Sequence, residues 1–188
     1  MTTSTPTTSV SSDLLPTVRN LDEARNICHE FSSVLTVGPR RSEVSDFAHP
    51  DHKIVTFDDI TSSFGGYQAP TFEQVKHIVE WGAGRSNLLV HCHAGMSRST
   101  SSAWGIAIAN GFDPQNAYDL LYQNHPVEQY RNVRIAVDHK AVAAKRAFIP
   151  NELVLKHLEQ LFGLHSSSSI SSSRINNCRI NNSSINSN

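Results

Sequence analysis

Residues 87–100, NLLVHCHAGMSRST, constrain the fold more than any other part of the chain. The apolar run Leu88-Leu89-Val90 ends abruptly at His91-Cys92-His93, and a short segment containing Gly95 leads into STSSAWGIAIAN. A short apolar run of this kind reads as a strand covered on both faces. The small, largely apolar residues after Arg98 suit a buried helix that ends near Asn110-Gly111, where a glycine closes the last turn. A strand passing through a tight loop into a buried helix is the repeating unit of an α/β layer fold.

The rest of the chain extends this alternation. Asn20 with Glu23 predicts a capped helix over residues 21–30. Residues 33–37, SVLTV, and 53–57, KIVTF, are short β-branched runs bounded by Gly38-Pro39 and Asp58-Asp59, and both read as strands. Thr71 with Gln74 opens a helix whose Phe72, Val75, Ile78 and Val79 share one face. Asp113-Pro114 supplies a cap and a first helical position for a helix to about Tyr122. Residues 133–147 and 151–162 read as two further helices, and Trp81 and Trp104 read as core residues. The expected fold is α/β, with a central, mainly parallel sheet of about four or five strands flanked by helices.

The loop between strand and helix carries the chemistry. The first N–H groups of a helix have no intrahelical partners, and the macrodipole places about half a positive charge there. A loop wrapped over that end is an anion site built from backbone. Gly95 lets the backbone approach a ligand and tolerates positive φ. Arg98 adds a planar fork that holds two oxygens at once, which lysine cannot do. A thiol in such surroundings is driven toward the thiolate, the form that attacks. A zinc site at His91, Cys92 and His93 is a poorer reading, because neighbouring strand residues point to opposite faces and no second ligand pair stands at a usual spacing.

His91-Cys92, five residues, Arg98 and Ser99 resemble the signature of the cysteine-based protein tyrosine phosphatase superfamily, and HCHAGMSRST is most similar to its dual-specificity branch. The resemblance covers about residues 31–147 and implies a phosphatase-like fold and a cysteine-dependent phosphomonoester hydrolase that acts through a phosphocysteine intermediate. It implies Cys92 as nucleophile, Arg98 with the backbone amides of His93, Ala94, Gly95, Met96, Ser97 and Arg98 as the phosphate cradle, Ser99 as the hydroxyl that assists breakdown of the intermediate, and His91 as support behind the loop. It also implies a general acid upstream. Phe57-Asp58-Asp59 fits the Phe, any residue, Asp pattern of several small relatives, which points to Asp59, with Asp58 as the alternative acid. The Trp-Pro-Asp motif of the classical tyrosine phosphatases is absent from the sequence. No cofactor and no metal are implied.

Composition narrows the partners. Sixteen basic against seventeen acidic residues give a formal charge of −1, which argues against a nucleic-acid partner. Inositol-lipid phosphatases of the superfamily that the loop resembles usually carry lysines inside it, and His93, Ala94, Met96 and Ser97 supply none, so the resemblance implies a phosphorylated protein substrate over a phosphoinositide. A phosphate-binding module without turnover, and a phosphatase acting on phosphoinositide or RNA 5′-phosphate, are the competing readings. Three dispersed cysteines, Cys28, Cys92 and Cys178, fit a reducing compartment. The N-terminus lacks an apolar signal region, and no run is long enough for a bilayer span, so the expected location is cytoplasmic with no membrane partner. Residues 1–12, rich in Thr, Ser and Pro, and residues 166–188, rich in Ser and Asn with RINN twice, read as disordered flanks of a catalytic domain over residues 13–165. Cys28 reads as a packed residue of the first helix, and Arg40-Arg41 as either a substrate rim or solvated charge. Oligomeric state is left open by the sequence.

Overall fold

The computed structural model describes residues 10–39, 48–125 and 148–164, together with the backbone of 134–137 and 140–143. Arg40-Arg41, Cys178 and the serine-rich tail lie outside the described residues. The elements run β1 (Thr17–Arg19), α1 (Leu21–Ile27), β2 (Ser33–Gly38), β3 (His52–Thr56), α2 (Phe72–Gly82), β4 (Leu88–His91), α3 (Arg98–Ala109), α4 (Pro114–Asn124), β5 (Arg134–Val137), β6 (Lys140–Ala143) and α5 (Glu152–Phe162).

The first four strands form one sheet in the order β1-β4-β2-β3, and every neighbouring pair is parallel. Strands β2 and β4 occupy the centre, and every residue in them is buried, as expected of strands covered on both faces. The two-residue side-chain period divides them cleanly. Val34 and Leu89 face Leu21 and Ala24 of α1 in one cluster, whereas Leu35, Val37, Leu88 and Val90 join the larger core beneath α2–α5.

Helix α3 is the hub of that larger core. Residues 98–107 are all buried, and Gly105 explains how closely α5 approaches. A Cβ there would lie 2.5 Å from a Leu158 methyl, so any larger residue would push the helices apart. Trp104 is buried and donates its indole N–H to the Pro114 carbonyl at 2.8 Å. Trp81 differs from its expected core role: it is half-buried and lies under the Arg85 guanidinium, 4.0 Å from the ring centre.

The predicted caps form. Thr71 and Gln74 make both bonds of a capping box, and the Asp113 carboxylate accepts from the amides of Gln115 and Asn116. Asn20 accepts from the Glu23 amide, but α1 stops at Ile27 and Cys28–Glu30 tighten into a 3-10 turn. Cys28 packs at the edge of the α1 cluster as a free thiol. Val10 and Leu14, near the start of the described chain, pack on the main core.

One expected helix is corrected, and one strand is new. The helix expected over residues 133–147 is replaced by β5 and β6, an antiparallel pair with Ile135 opposite Val142. The β-branched residues Ile135, Val137 and Val142 favour an extended chain over the helix that the alanines suggested. Strand β1 has no counterpart in the sequence reading. Its three residues, between Pro16 and Asn20, are too few to show a period and gain strand geometry by pairing with β4.

Candidate active site

In a parallel sheet, ligand sites form beyond the carboxyl ends of the strands. Here β4 ends at His91, and β3 runs on through Phe57 to Asp58-Asp59. Residues 92–97 cross from the end of β4 to the start of α3, and the candidate groups converge on that crossing.

Cys92 is buried at 2% exposure. Its Sγ receives the Gly95 N–H at 3.2 Å and lies 3.2 Å from the Ser99 hydroxyl, so two polar hydrogens stand ready to stabilise negative charge on sulfur. Gly95 adopts φ +70°, a conformation that costs a residue with a side chain about 1 kcal/mol or more, and that conformation aims its amide at the sulfur.

The loop's carbonyls are tied to the scaffold around it. The His93 carbonyl accepts from the Leu21 amide at the head of α1, that of Gly95 from His125 Nε2 at 2.8 Å, and that of Met96 from the Ile149 amide before α5. The Ser97 carbonyl accepts from the Ser101 amide and from the hydroxyls of Thr100 and Ser101. A trans peptide sets C=O and N–H on opposite sides, so the amides of Ala94, Met96, Ser97 and Arg98 turn away from those anchors. With the Gly95 amide they are the backbone N–H groups at the head of α3 that a nest for an anion would use. The hydroxyl run after Arg98 therefore has a use: it closes carbonyls inside a buried turn.

Arg98 is buried at 8% exposure. Its Nη1 donates to the Phe57 carbonyl at 3.2 Å, while its buried Nε has no partner among the described residues. A buried charged donor left in this state is costly, and an anion bound in the nest would satisfy it.

The two aspartates point to different neighbours. Asp59 Oδ1 accepts from the Ser97 hydroxyl at 2.6 Å and from Asn151 Nδ2 at 2.8 Å, which fixes this carboxylate against the loop. Asp58 turns to Gln68 instead, its carboxylate accepting the Gln68 amide at 2.7 Å and its own amide donating to the Gln68 carbonyl. It closes the loop that carries Phe64 and Tyr67. The structure thus brings Cys92, Ser99, Arg98 and Asp59 together and holds Asp58 apart.

His91 is fully buried behind Cys92 and bonds through Nε2 to Thr36 Oγ1 at 2.6 Å. Burial, and next the neighbouring His52, push its pKa down to about 4. The unfolded ring takes its proton near pH 6.5 and the native ring near 4, so the unfolded chain binds more protons between these values. The stabilising contribution is complete above pH 6.5 and is lost as the pH falls through about 4, a total of about 3 kcal/mol. Urea titrations at pH 7 and pH 4.5 are expected to show that His91→Asn loses about 2 kcal/mol less stability than wild type over this interval. Identical losses would contradict a neutral buried His91.

Sequence reasoning missed three members of this site. Asn151 caps α5, accepting the amides of Leu153 and Val154, and also holds Asp59; only the cap is legible as a local pattern. His125 and Thr36 act through tertiary neighbours and leave no local signature. His93 keeps an exposed side chain, and its contribution to the loop's fixed shape is through the backbone. Among the described residues, no group of three or more His, Cys, Asp or Glu side chains is arranged to hold a metal ion, and no helix is long and apolar enough to cross a membrane.

No protein-family model and no curated protein sequence matches the chain. Solved structures do match. The crystal structure of DUSP15 superposes with a TM-score of 0.53 at 16% identity, covering 89% of this chain and 93% of that one. PTPMT1, solved in complex with PI(5)P, gives 0.49 at 13% identity over 80% and 92% of the two chains. The Yvh1 phosphatase domain from Chaetomium thermophilum gives 0.48 at 16% identity over 82% and 93%. The chain therefore has the α/β fold of DUSP15, a phosphatase-like fold built on a four-stranded parallel sheet.

Proposed function

We propose that the protein is a cysteine-dependent phosphomonoester hydrolase, a tyrosine or dual-specificity protein phosphatase. The observation that carries the proposal is the buried Cys92 sulfur, which meets the Gly95 amide and the Ser99 hydroxyl beside Arg98, whose buried Nε has no partner among the described residues. A binding module has no need of a nucleophile at the floor of its anion site.

In the first step the Cys92 thiolate attacks phosphorus, the bond from phosphorus to the leaving oxygen breaks, and Asp59 delivers its proton to that oxygen. Ser97 and Asn151 both bond to Oδ1 of Asp59, which leaves Oδ2 to carry the proton. The nest amides and Arg98 hold the three equatorial oxygens throughout. In the second step water attacks phosphorus and gives a proton to the Asp59 carboxylate. The P–S bond breaks, and the Ser99 hydroxyl stabilises the departing thiolate. Phosphate leaves and the starting enzyme is restored.

A polypeptide substrate is favoured by two features. His93, Ala94, Met96 and Ser97 put no lysine in the loop for extra phosphates on an inositol ring. Phe64 and Tyr67 are also exposed, their rings 5.5 Å apart, on the loop that leaves Asp59, where they offer apolar contact to residues flanking a phosphorylated side chain.

The test is hydrolysis of phosphate esters by the purified protein. Asp59→Ala is expected to lower kcat about 10²-fold on phosphotyrosine peptides, whose leaving group needs the proton. It should change little on an activated aryl phosphate. Equal losses on both, or the same selective loss in Asp58→Ala, would assign the acid elsewhere. Absence of turnover on every ester, with a phosphopeptide still bound, would favour the binding module.

A further inference from the structure

The loop that leaves Asp59 holds two aromatic rings outside the core. Gly65 and Gly66 take φ +54° and +86°, the left-handed pair that closes a two-residue hairpin turn. The Tyr67 amide donates to the Phe64 carbonyl at 2.8 Å. At the base of the loop the Asp58 amide donates to the Gln68 carbonyl, and the Asp58 carboxylate accepts the Gln68 amide, both at 2.7 Å. Phe64 and Tyr67 stand at the tip, 63% and 55% exposed, and Ile54 is the other large apolar side chain left exposed among the described residues. Neither ring belongs to the packed core, so folding leaves their adjoining apolar surface for a partner outside it.

Beside Tyr67 lies a hollow of about 530 Å³, bordered by Ser63, Gln68, Thr71 and Gln74. Its polar groups are largely engaged. The Ser63 hydroxyl accepts the Ala69 amide, Thr71 and Gln74 bond to each other in the capping box, and Gln74 Nε2 donates to the Thr56 carbonyl. Among the described residues that border it none is charged, so the hollow suits an apolar or neutral side chain. The backbone bond between Asp58 and Gln68 keeps their Cα atoms within about 6 Å, which puts Tyr67 within about 14 Å of Asp59. An extended chain covers that distance in about four residues. Residues 58–71, DDITSSFGGYQAPT, hold two acidic and no basic side chains, so this surface has no attraction for anionic lipid and repels acidic residues.

We infer that Phe64, Tyr67 and the hollow beside them are a specificity subsite, which takes an apolar side chain of the substrate standing up to about four residues from the phosphorylated one. The inference rests on the reading of the protein as a phosphatase of polypeptides. Asp59 is fixed against the signature loop by Ser97 and Asn151, and Asp58, next to it, ties the base of the turn. The rings therefore keep a set position relative to the phosphate. A leucine or phenylalanine carried there gains by leaving water against the rings. A glutamate finds no basic partner on the turn and stands in the field of Asp58 and Asp59.

The test reads binding, so it needs no turnover. The full chain carrying Cys92→Ser is titrated by fluorescence anisotropy with phosphotyrosine peptides that differ only in a Leu or a Glu at one position, up to about four residues to either side. At one or two positions the Leu peptide is expected to bind about tenfold more tightly, as partial burial of one such side chain implies. Phe64→Ser and Tyr67→Ser, both at exposed positions, should bring that ratio close to one. Tyr67→Phe keeps the ring and should preserve it. Equal affinity for Leu and Glu peptides throughout, or a ratio unchanged in both Ser variants, would overturn the inference. So would cosedimentation with phosphatidylserine vesicles that the Ser variants lose, which would give the turn to a membrane, or a dimer that they break. Hydrolysis of an aryl phosphate by the wild-type protein is measured alongside. If hydrolysis fails while the Leu preference stands, the phosphatase reading falls and the subsite remains; if hydrolysis holds and no peptide binds, the subsite falls alone.

Discussion

Cys92→Ser is expected to abolish ester hydrolysis, lowering kcat by at least about 10⁴-fold while leaving the fold and phosphate binding intact. The change replaces sulfur by oxygen in a side chain that is buried and already within 3.2 Å of the Gly95 amide and the Ser99 hydroxyl. Little in the packing has to move. What changes is the nucleophile, because a serine hydroxyl attacks phosphorus far more weakly than sulfur does. The Gly95 amide can donate to a serine oxygen as it does to the sulfur, so the loop should keep its shape and the variant should still bind phosphopeptide. Circular dichroism and a phosphopeptide titration beside the activity assay separate loss of chemistry from loss of fold. Residual hydrolysis near wild-type level would remove Cys92 from the reaction.

Arg98→Lys is expected to lower kcat about 10³-fold. The guanidinium spends Nη1 on the Phe57 carbonyl, and its buried Nε has no partner among the described residues. An ammonium placed there is a point charge on a flexible stem, and it cannot brace itself on the Phe57 carbonyl while meeting two phosphoryl oxygens in the plane of a fork. The charge is conserved, so ground-state attraction for a dianion largely survives and KM should rise much less than kcat falls. Turnover like that of wild type would show that the nest amides suffice without the fork.

The parts of the fold that were legible in the sequence are those whose cause is local. The capping box at Thr71 and Gln74, the Asp113-Pro114 start of α4, and the buried small-residue helix after Arg98 each follow from residues within four positions of one another. Strand β1 and the β5-β6 pair were not legible. One owes its geometry to pairing with β4, and the other sets alanine-rich composition against three β-branched residues. The site divides in the same way. Spacing alone singles out Cys92, Gly95 and Arg98 as a device. The choice between Asp58 and Asp59 turns on partners far away in the chain, Gln68 for one and Ser97 with Asn151 for the other. His125 and Thr36 are recognisable only once the sheet and helices bring them to the Gly95 carbonyl and to His91.

The central claim is that phosphorus is bonded to Cys92 during turnover. Ser99→Ala removes the hydroxyl 3.2 Å from the sulfur and should slow departure of the thiolate, so the intermediate accumulates. Acid quench of this variant during turnover of an aryl phosphate, followed by mass spectrometry of the peptide containing Cys92, is expected to find the phosphoryl group on that peptide. Phosphate release with no phosphoryl group on Cys92, or with one on another residue, would contradict the account.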